Sequence, residues 1–118
     1  MNIGALILNF LPAALMAVIT VIMFKFPPKA PNALYGYRTN RSMKSQQTWE
    51  FAQHRSIHYF TIISIILSIS GFVMSMVTSL ETSQIILYIG WTVLLVALIP
   101  MIEKELKQNF TDDGQPRK

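Results

Sequence analysis

The sequence predicts an all-α membrane protein, a bundle of three transmembrane helices with a structured cytoplasmic loop and a short surface helix. Of its 118 residues, 52% are hydrophobic and only 14% are charged, which leaves too little polar surface for a small soluble domain. Three long runs carry no charged residue, and each is long enough to cross a hydrocarbon core of about 30 Å. We therefore expect a single membrane domain, 1–118, with spans at about 3–24, 58–80 and 83–102.

The positive charges are unevenly distributed between the connections, and this distribution predicts the orientation of the protein. The connection between the second and third spans has one charged residue, the acidic Glu81. Basic residues instead precede the second span or follow the third: Lys25, Lys29, Arg38, Arg41, Lys44, Arg55, Lys104, Lys107, Arg117 and Lys118. By the positive-inside rule, the N-terminus lies outside, and the motif loop, 27–56, and the tail, 103–118, lie in the cytoplasm. The net charge of +4 by itself could suggest a nucleic-acid partner. The distribution of the charges instead predicts contact with anionic lipid headgroups and no direct binding of nucleic acid.

The first span contains small and polar residues that recur at helical spacing, namely Asn9, Ala13, Ala17 and Thr20. We expect this face to pack against another helix, with a functional use of Asn9 left open. Pro12 removes a backbone donor and is expected to kink the helix. A cleaved signal peptide is the alternative for this run, but no Lys or Arg precedes its apolar core.

The second span carries the clearest periodic pattern in the chain. Small residues recur three or four positions apart, at Thr61, Ser64, Ser68, Gly71, Ser75 and Thr78. Residues at this spacing share one side of a helix, where small side chains permit close approach and interhelical hydrogen bonds in a membrane. We expect this helix to be central in the bundle. The third span has a similar face at Ser83, Gly90 and Ala97, and 111–118 is expected to be a frayed tail.

One long polar segment, 32–55, separates the first two spans and holds the candidate functional residues. Its first part, 32–39, contains Asn, Gly and two Tyr after prolines, which is typical of a turn. Ser42 or Ser45 can cap a helix that continues along the membrane surface or straight into the second span. The apolar anchor of that helix would be Met43, Trp49 and Phe51.

Arg38 has three interpretations on chemical grounds. Its guanidinium stands beside Tyr35 and Tyr37 and suits planar, bidentate binding of phosphate or carboxylate. It also suits contact with the headgroups of an anionic leaflet. A structural role is the third interpretation, in which Arg38 binds helix carbonyls or pairs with Glu50 and holds the loop against the bundle.

Two histidines, His54 and His58, stand four residues apart on the predicted helix. A catalytic zinc site needs a third protein ligand, and the sequence has neither an HExxH motif nor a cysteine. We therefore predict no metal site and no other cofactor. The expected role of the pair is interfacial, through hydrogen bonds to the loop or to lipid headgroups.

The polar segment resembles the signature of the SdpI family, bacterial membrane proteins named for immunity to a secreted sporulation-delaying toxin. The resemblance is carried by Asn32, Tyr35, Gly36, Tyr37, Arg38, Thr39, Ser42, Met43, Ser45, Trp49 and Ala52. Where the family commonly has Asn or His after the alanine, this chain has Gln53 and then His54. The resemblance implies a three-helix module in the plasma membrane that confers resistance to a membrane-active peptide toxin. The best-known member of the family also binds a transcriptional repressor at the membrane, so the resemblance adds a cytoplasmic repressor to the expected partners.

We accordingly predict a non-enzymatic immunity protein whose ligand contacts the motif loop. The predicted binding residues are Asn32, Tyr35, Gly36, Tyr37, Arg38, Thr39, Ser42, Met43, Trp49 and His54. Four of them, Tyr35, Arg38, Ser42 and Trp49, are expected to form one site at the cytoplasmic membrane surface. The expected partners are anionic lipids, a peptide toxin and a cytoplasmic repressor, with homo-oligomerisation left open.

Three other functions remain open on the sequence. An enzyme acting on lipid or peptide would use Arg38, Glu50, His54 and His58 as an acid–base site, although no pairing among them has a diagnostic spacing. A transporter is disfavoured because the predicted spans contain no charged residue between 59 and 80 or between 83 and 102. A scaffold without a ligand would need the motif residues only for folding.

Overall fold

The computed structural model describes residues 2–117 and contains three helices, α1 (Ile3–Lys25), α2 (Gln46–Val77) and α3 (Leu80–Asn109). Each helix is long and apolar enough to cross a membrane, and residues 2–117 contain no β-strand. The predicted all-α membrane bundle is therefore confirmed. The helix α2 begins at the same end of the bundle at which α1 and α3 terminate. We call this the motif end and the opposite one the far end.

The second helix begins well before the apolar span that it contains. Of the two predicted paths, the structure shows the chain continuing straight into the span, and residues 26–45 contain no separate surface helix. The Ser45 hydroxyl accepts a hydrogen bond from the Thr48 amide at 3.1 Å, and the Thr48 hydroxyl accepts one from the Ser45 amide at 3.0 Å. This capping box starts the helix, and no residue after it interrupts the hydrogen bonding. Trp49 and Ala52 in the first two turns are fully buried, so the helix is part of the bundle from its start.

The bundle has a narrow core and an apolar outer surface. The core joins all three helices and contains Ala13, Met16, Ile63, Leu67, Leu98 and Ile102. Many large aliphatic side chains face outwards instead, among them Ile7, Ile65 and Val93, which are 65%, 55% and 59% exposed. Such a surface is typical of helices in contact with lipid, because their outward-facing apolar side chains meet hydrocarbon and not water.

The small residues of α2 differ in their surroundings. Gly71 is buried so closely against α1 that a methyl group added there would lie 2.4 Å from the Asn9 carbonyl oxygen. The half-buried Ser64 and Ser68 donate to carbonyls of their own helix, four residues earlier, and Thr61 is exposed and does the same. Ser75 bonds to the Phe72 carbonyl, and Thr78 follows the helix as its C-terminal cap. Close approach of the helices is thus concentrated at Gly71.

A buried polar cluster joins α1 to α3 near the far end. The Asn9 side chain is fully buried, and its Oδ1 accepts hydrogen bonds from the Ser83 hydroxyl at 3.1 Å and the Gln84 amide at 2.6 Å. In a membrane an amide side chain has no water to bond with, so partners on a neighbouring helix favour association. Asn9 and Gly71 therefore mark the point where all three helices meet.

An ionic contact joins α2 to α3 at the motif end. Arg55 Nη2 lies 2.8 Å from Glu105 Oε1, and the Tyr59 hydroxyl donates to Glu105 Oε2 at 2.9 Å. Both charged side chains are about a quarter exposed. Together with the cluster at Asn9, this contact places polar connections at both ends of a largely apolar bundle.

The tail after α3 is ordered through residue 117, so the expectation of a frayed tail is wrong over 111–117, while Lys118 lies outside the described residues. Gly114 adopts a φ of +88°, which allows the chain to turn back, and the Arg117 amide donates to the Asn109 carbonyl at 2.9 Å. The Ser45 hydroxyl donates to the Gly114 carbonyl at 2.7 Å. The tail therefore covers the start of α2.

We expect Gly71→Ala to destabilise the bundle by about 1–3 kcal/mol, because α1 and α2 would have to separate to accommodate the methyl group. Gly90→Ala is the matched control, since a methyl group there meets no neighbouring atom and only raises helix propensity. Unfolding of both variants in detergent micelles, followed by circular dichroism, measures the difference. Equal stability of the two variants would contradict the close contact at Gly71.

Candidate functional site

The loop between α1 and α2, residues 26–45, folds around the side chain of Asn32, and we call this loop the motif segment. Its Oδ1 accepts hydrogen bonds from the amides of Leu34 and Tyr35, at 2.9 and 2.7 Å. Its Nδ2 donates to the carbonyls of Ala30 and Tyr35, at 3.1 and 3.0 Å. Asn is favoured in turns because its side chain substitutes for backbone partners in this way. Asn32 therefore shapes the segment and has little hydrogen-bonding capacity left for a ligand.

Gln53 on α2 attaches the segment to the bundle. Its Oε1 accepts from the Tyr37 amide and its Nε2 donates to the Tyr37 carbonyl, both at 2.7 Å. The side-chain amide thus pairs with the backbone of one residue as a neighbouring strand would. Gln53 is only 4% exposed, so both bonds are largely shielded from water.

Gly36 permits this pairing. Its φ of +107° lies in a region that other residues rarely adopt. A Cβ atom at this position would lie 2.7 Å from Gln53 Oε1 and 2.9 Å from Pro28 Cγ. The conformation and the lack of space both require glycine.

Two further motif residues are buried supports of the segment. The Trp49 side chain is fully buried, and its Nε1 donates to the Pro28 carbonyl at 2.6 Å. Ser42 is also fully buried, and its hydroxyl accepts from the Thr39 amide at 2.8 Å while the Thr39 hydroxyl accepts from the Ser42 amide at 3.1 Å. These contacts satisfy polar groups inside the protein, so neither side chain is available to a ligand.

The two tyrosines extend the segment towards α1 and α3. The Tyr35 hydroxyl donates to the Phe26 carbonyl at 2.7 Å, beyond the end of α1, and the Tyr37 hydroxyl donates to the Ile99 carbonyl in α3 at 3.3 Å. Burial raises the pKa of Tyr37 well above its usual range, and the nearby Glu103 carboxylate raises the pKa further. Tyr37 is therefore a neutral donor at physiological pH.

Arg38 differs from its neighbours because its guanidinium is exposed. One Nη atom donates to the Ala33 carbonyl in the same segment. The ion pairs found among residues 2–117 involve Arg41 and Arg55, and Glu50 instead accepts a hydrogen bond from Gln46. Neither a pairing with Glu50 nor a contact with the carbonyls at a helix end is found for Arg38 in the described part of the chain.

Arg38 lies at the edge of an open groove of about 560 Å³. Residues 35–39 form one wall of the groove. The other walls are apolar and come from all three helices: Ile19, Ile22, Met23, Phe60, Leu95, Leu98 and Ile99. Arg38 is the one charged residue among the groove-lining residues that the structure describes.

The remaining candidates lie elsewhere. His54 is exposed and lines a second cavity of about 570 Å³, which also involves Lys29 and Glu50. His58 is exposed beside the Tyr59 ring, and Met43 is 38% exposed. No cluster of three or more His, Cys, Asp or Glu suited to a metal ion occurs within residues 2–117.

The predicted residues therefore lie in different places. Tyr35, Gly36, Tyr37, Arg38 and Thr39 line the groove. Asn32 holds the turn of the segment, and the buried side chains of Ser42 and Trp49 bond to its backbone. His54 lines the second cavity. The sequence pattern alone indicates no role for Gln53, although its position four residues after Trp49 on α2 places both side chains on one buried face.

We expect Gln53→Glu to destabilise the protein by about 1–3 kcal/mol, because the variant cannot donate to the Tyr37 carbonyl and places a carboxylate in a buried site. Gln47→Glu, at an exposed position in the first turn of α2, is the control for the same chemical change. Thermal unfolding in detergent distinguishes them. A Gln53→Glu protein as stable as the control would contradict the role given to this amide.

The raised pKa of Tyr37 predicts a dependence of stability on pH. Because its pKa is higher in the folded than in the unfolded protein, the contribution of the neutral phenol is fully present below about pH 10 and declines as the pH rises above it. Tyr37→Phe loses the hydrogen bond to Ile99 but has no phenol to ionise. Its unfolding temperature should therefore fall less steeply above pH 10 than that of the parent, and parallel curves would contradict the prediction.

Comparison with known proteins places the chain in a family. Residues 29–103 match the SdpI/YfhL protein family. The chain is 33% identical over 103 residues to the uncharacterized protein YfhL of Bacillus subtilis (strain 168), covering 87% of this chain and 89% of that protein. No solved structure matches the chain significantly. The matched region contains residues 29–45 of the motif segment, the α2 helix and most of α3, and the chain belongs to the SdpI/YfhL protein family.

Proposed function

We propose that this protein confers resistance to a secreted, membrane-active toxin or antimicrobial peptide in a bacterial plasma membrane. Membership of the SdpI/YfhL family and three helices suited to spanning a membrane support the general role. The arrangement around Arg38 is the observation that supports a particular site for this function. The motif segment is fixed to the bundle by internal hydrogen bonds, and it presents one exposed cation beside an open apolar groove.

The proposed orientation puts the motif end in the cytoplasm and the N-terminus outside, since basic residues concentrate at the motif end. A secreted toxin reaches the membrane from the other side. We therefore propose that recognition takes place within the bilayer, where a membrane-active peptide reaches the groove laterally between helices. A cytoplasmic repressor would instead meet the ordered tail and the start of α2, which together form the surface of this end.

A non-enzymatic mechanism agrees with the distribution of polar groups. Arg38 lines the apolar groove, His54 lines the second cavity, and His58 stands against Tyr59. An acid–base mechanism needs such groups within hydrogen-bonding reach of one reacting atom. Of the four candidate acid–base residues only Glu50 and His54 share a cavity, and this arrangement supports binding as the role of this end of the protein.

The test is the survival of bacterial cells challenged with the sporulation-delaying toxin and with other secreted membrane-active peptides. Cells that express the parent chain should survive better than cells without it, and Arg38→Ala should lose most of that protection. Lys25→Ala is the matched control, because Lys25 is an exposed cation in the last turn of α1 that does not line the groove. Immunoblots of membrane fractions establish equal abundance of the proteins.

If the parent protects against none of the peptides, the proposal of resistance is wrong for this chain. If Arg38→Ala and the parent protect equally at equal abundance, resistance stands but the assignment of Arg38 is wrong. Loss of protection in Lys25→Ala to the same extent would show that overall positive charge, and not this site, is what matters.

A further inference from the structure

The groove beside Arg38 has the shape of a site for an amphiphile. Its volume of about 560 Å³ lies within the range of about 300–1,000 Å³ that is typical of small-molecule pockets. Its walls are apolar side chains of α1, α2 and α3, and the polar segment closes it on one side. An occupant that fits both surfaces needs an apolar tail and a polar head at one end.

The groove crosses the boundary between the apolar and polar parts of the protein. Ile22 and Met23 lie in the last turn of α1, which ends at Lys25, and Pro27 and Pro28 then begin the polar connection. Ile22 is 46% exposed although it is aliphatic, which indicates that part of this wall faces lipid. A molecule that lies in the bilayer with its head at the interface can therefore enter the groove without leaving the membrane.

The charge at the head of the groove is positive. Arg38 has one hydrogen bond, to the Ala33 carbonyl, which leaves further guanidinium donors directed at solvent or a ligand. The nearby acid Glu103 lines a different cavity, together with Arg41 and Lys44. The hydroxyls of Tyr35 and Tyr37 already donate to backbone carbonyls. Arg38 is thus the group that selects the charge of an occupant, and a guanidinium selects phosphate or carboxylate.

We propose that the groove binds one anionic phospholipid of the surrounding leaflet. Its phosphate is held by Arg38, and one acyl chain lies against Phe60, Leu95 and Leu98. A cationic headgroup fits less well, because its charge would oppose that of Arg38, the charged residue that lines the groove. This inference goes beyond resistance to a toxin, since lipid binding needs no toxin.

Native mass spectrometry of the detergent-purified full chain tests the proposal. The probes are phosphatidylglycerol and phosphatidylcholine with identical acyl chains. We expect a first phosphatidylglycerol to bind more tightly than phosphatidylcholine, and Arg38→Gln to weaken that binding by about tenfold, as expected for the loss of a charge-assisted hydrogen bond. Lys25→Gln, which removes a cation at the same end but outside the groove, should leave the affinity unchanged.

A second variant tests the groove without changing charge. Ile22→Trp adds a large ring at an exposed position of the wall and should weaken binding of phosphatidylglycerol while leaving the unfolding temperature unchanged. Equal affinity for the two lipids, or an equal loss in Lys25→Gln and Arg38→Gln, would overturn the proposal. So would dimers that disappear in Ile22→Trp while lipid binding persists, since a second copy of the chain would then occupy the groove.

Discussion

The structure of the motif end depends on the pairing of one side-chain amide with one backbone unit. Gln53 satisfies both the amide and the carbonyl of Tyr37 from a buried position on α2. The segment has no strand or helix of its own to pair with between Lys25 and Gln46, so its backbone needs partners of this kind. Gly36 gives the amide room to approach, and Trp49 fixes the preceding prolines through the Pro28 carbonyl.

This internal satisfaction determines what the motif end offers to other molecules. Asn32, Ser42 and Trp49 use their polar atoms within the protein, so their contribution to function is to hold the segment in place. Arg38 is exposed, and beside it the three helices leave a groove with apolar walls. The family motif thus contains one cation that is available for binding, and a larger set of polar and aromatic residues that hold the segment in place.

The sequence predicts the number and type of helices because long charge-free runs have few other solutions in a membrane. It does not predict which small residue makes the close contact. Ser64 and Ser68 satisfy their hydroxyls on their own helix, as any such residue can, whereas Gly71 approaches the Asn9 carbonyl of α1. The spacing that places these residues on one face is the same for all of them.

The sequence predicts which residues belong to the site. It does not separate residues that can contact a ligand from residues that hold the segment in place, because that difference depends on contacts in the folded protein. Gln53 contacts a residue sixteen positions earlier, and this depends on the turn that Asn32 builds. Groove residues such as Leu95 and Ile99 come from α3, far from the motif in sequence. The ordered tail was also missed, because its contacts with Ser45 and Arg41 join residues that are 69 and 71 positions apart in the sequence.

We infer that these contacts make the motif segment a rigid part of the bundle in the membrane. Amide hydrogen exchange of the full chain in phospholipid nanodiscs, resolved by residue, tests it most directly. We expect slow exchange at the amides of Tyr35, Tyr37 and Thr39, whose partners are Asn32, Gln53 and Ser42. Exchange at these three amides as fast as in an unfolded peptide would contradict it.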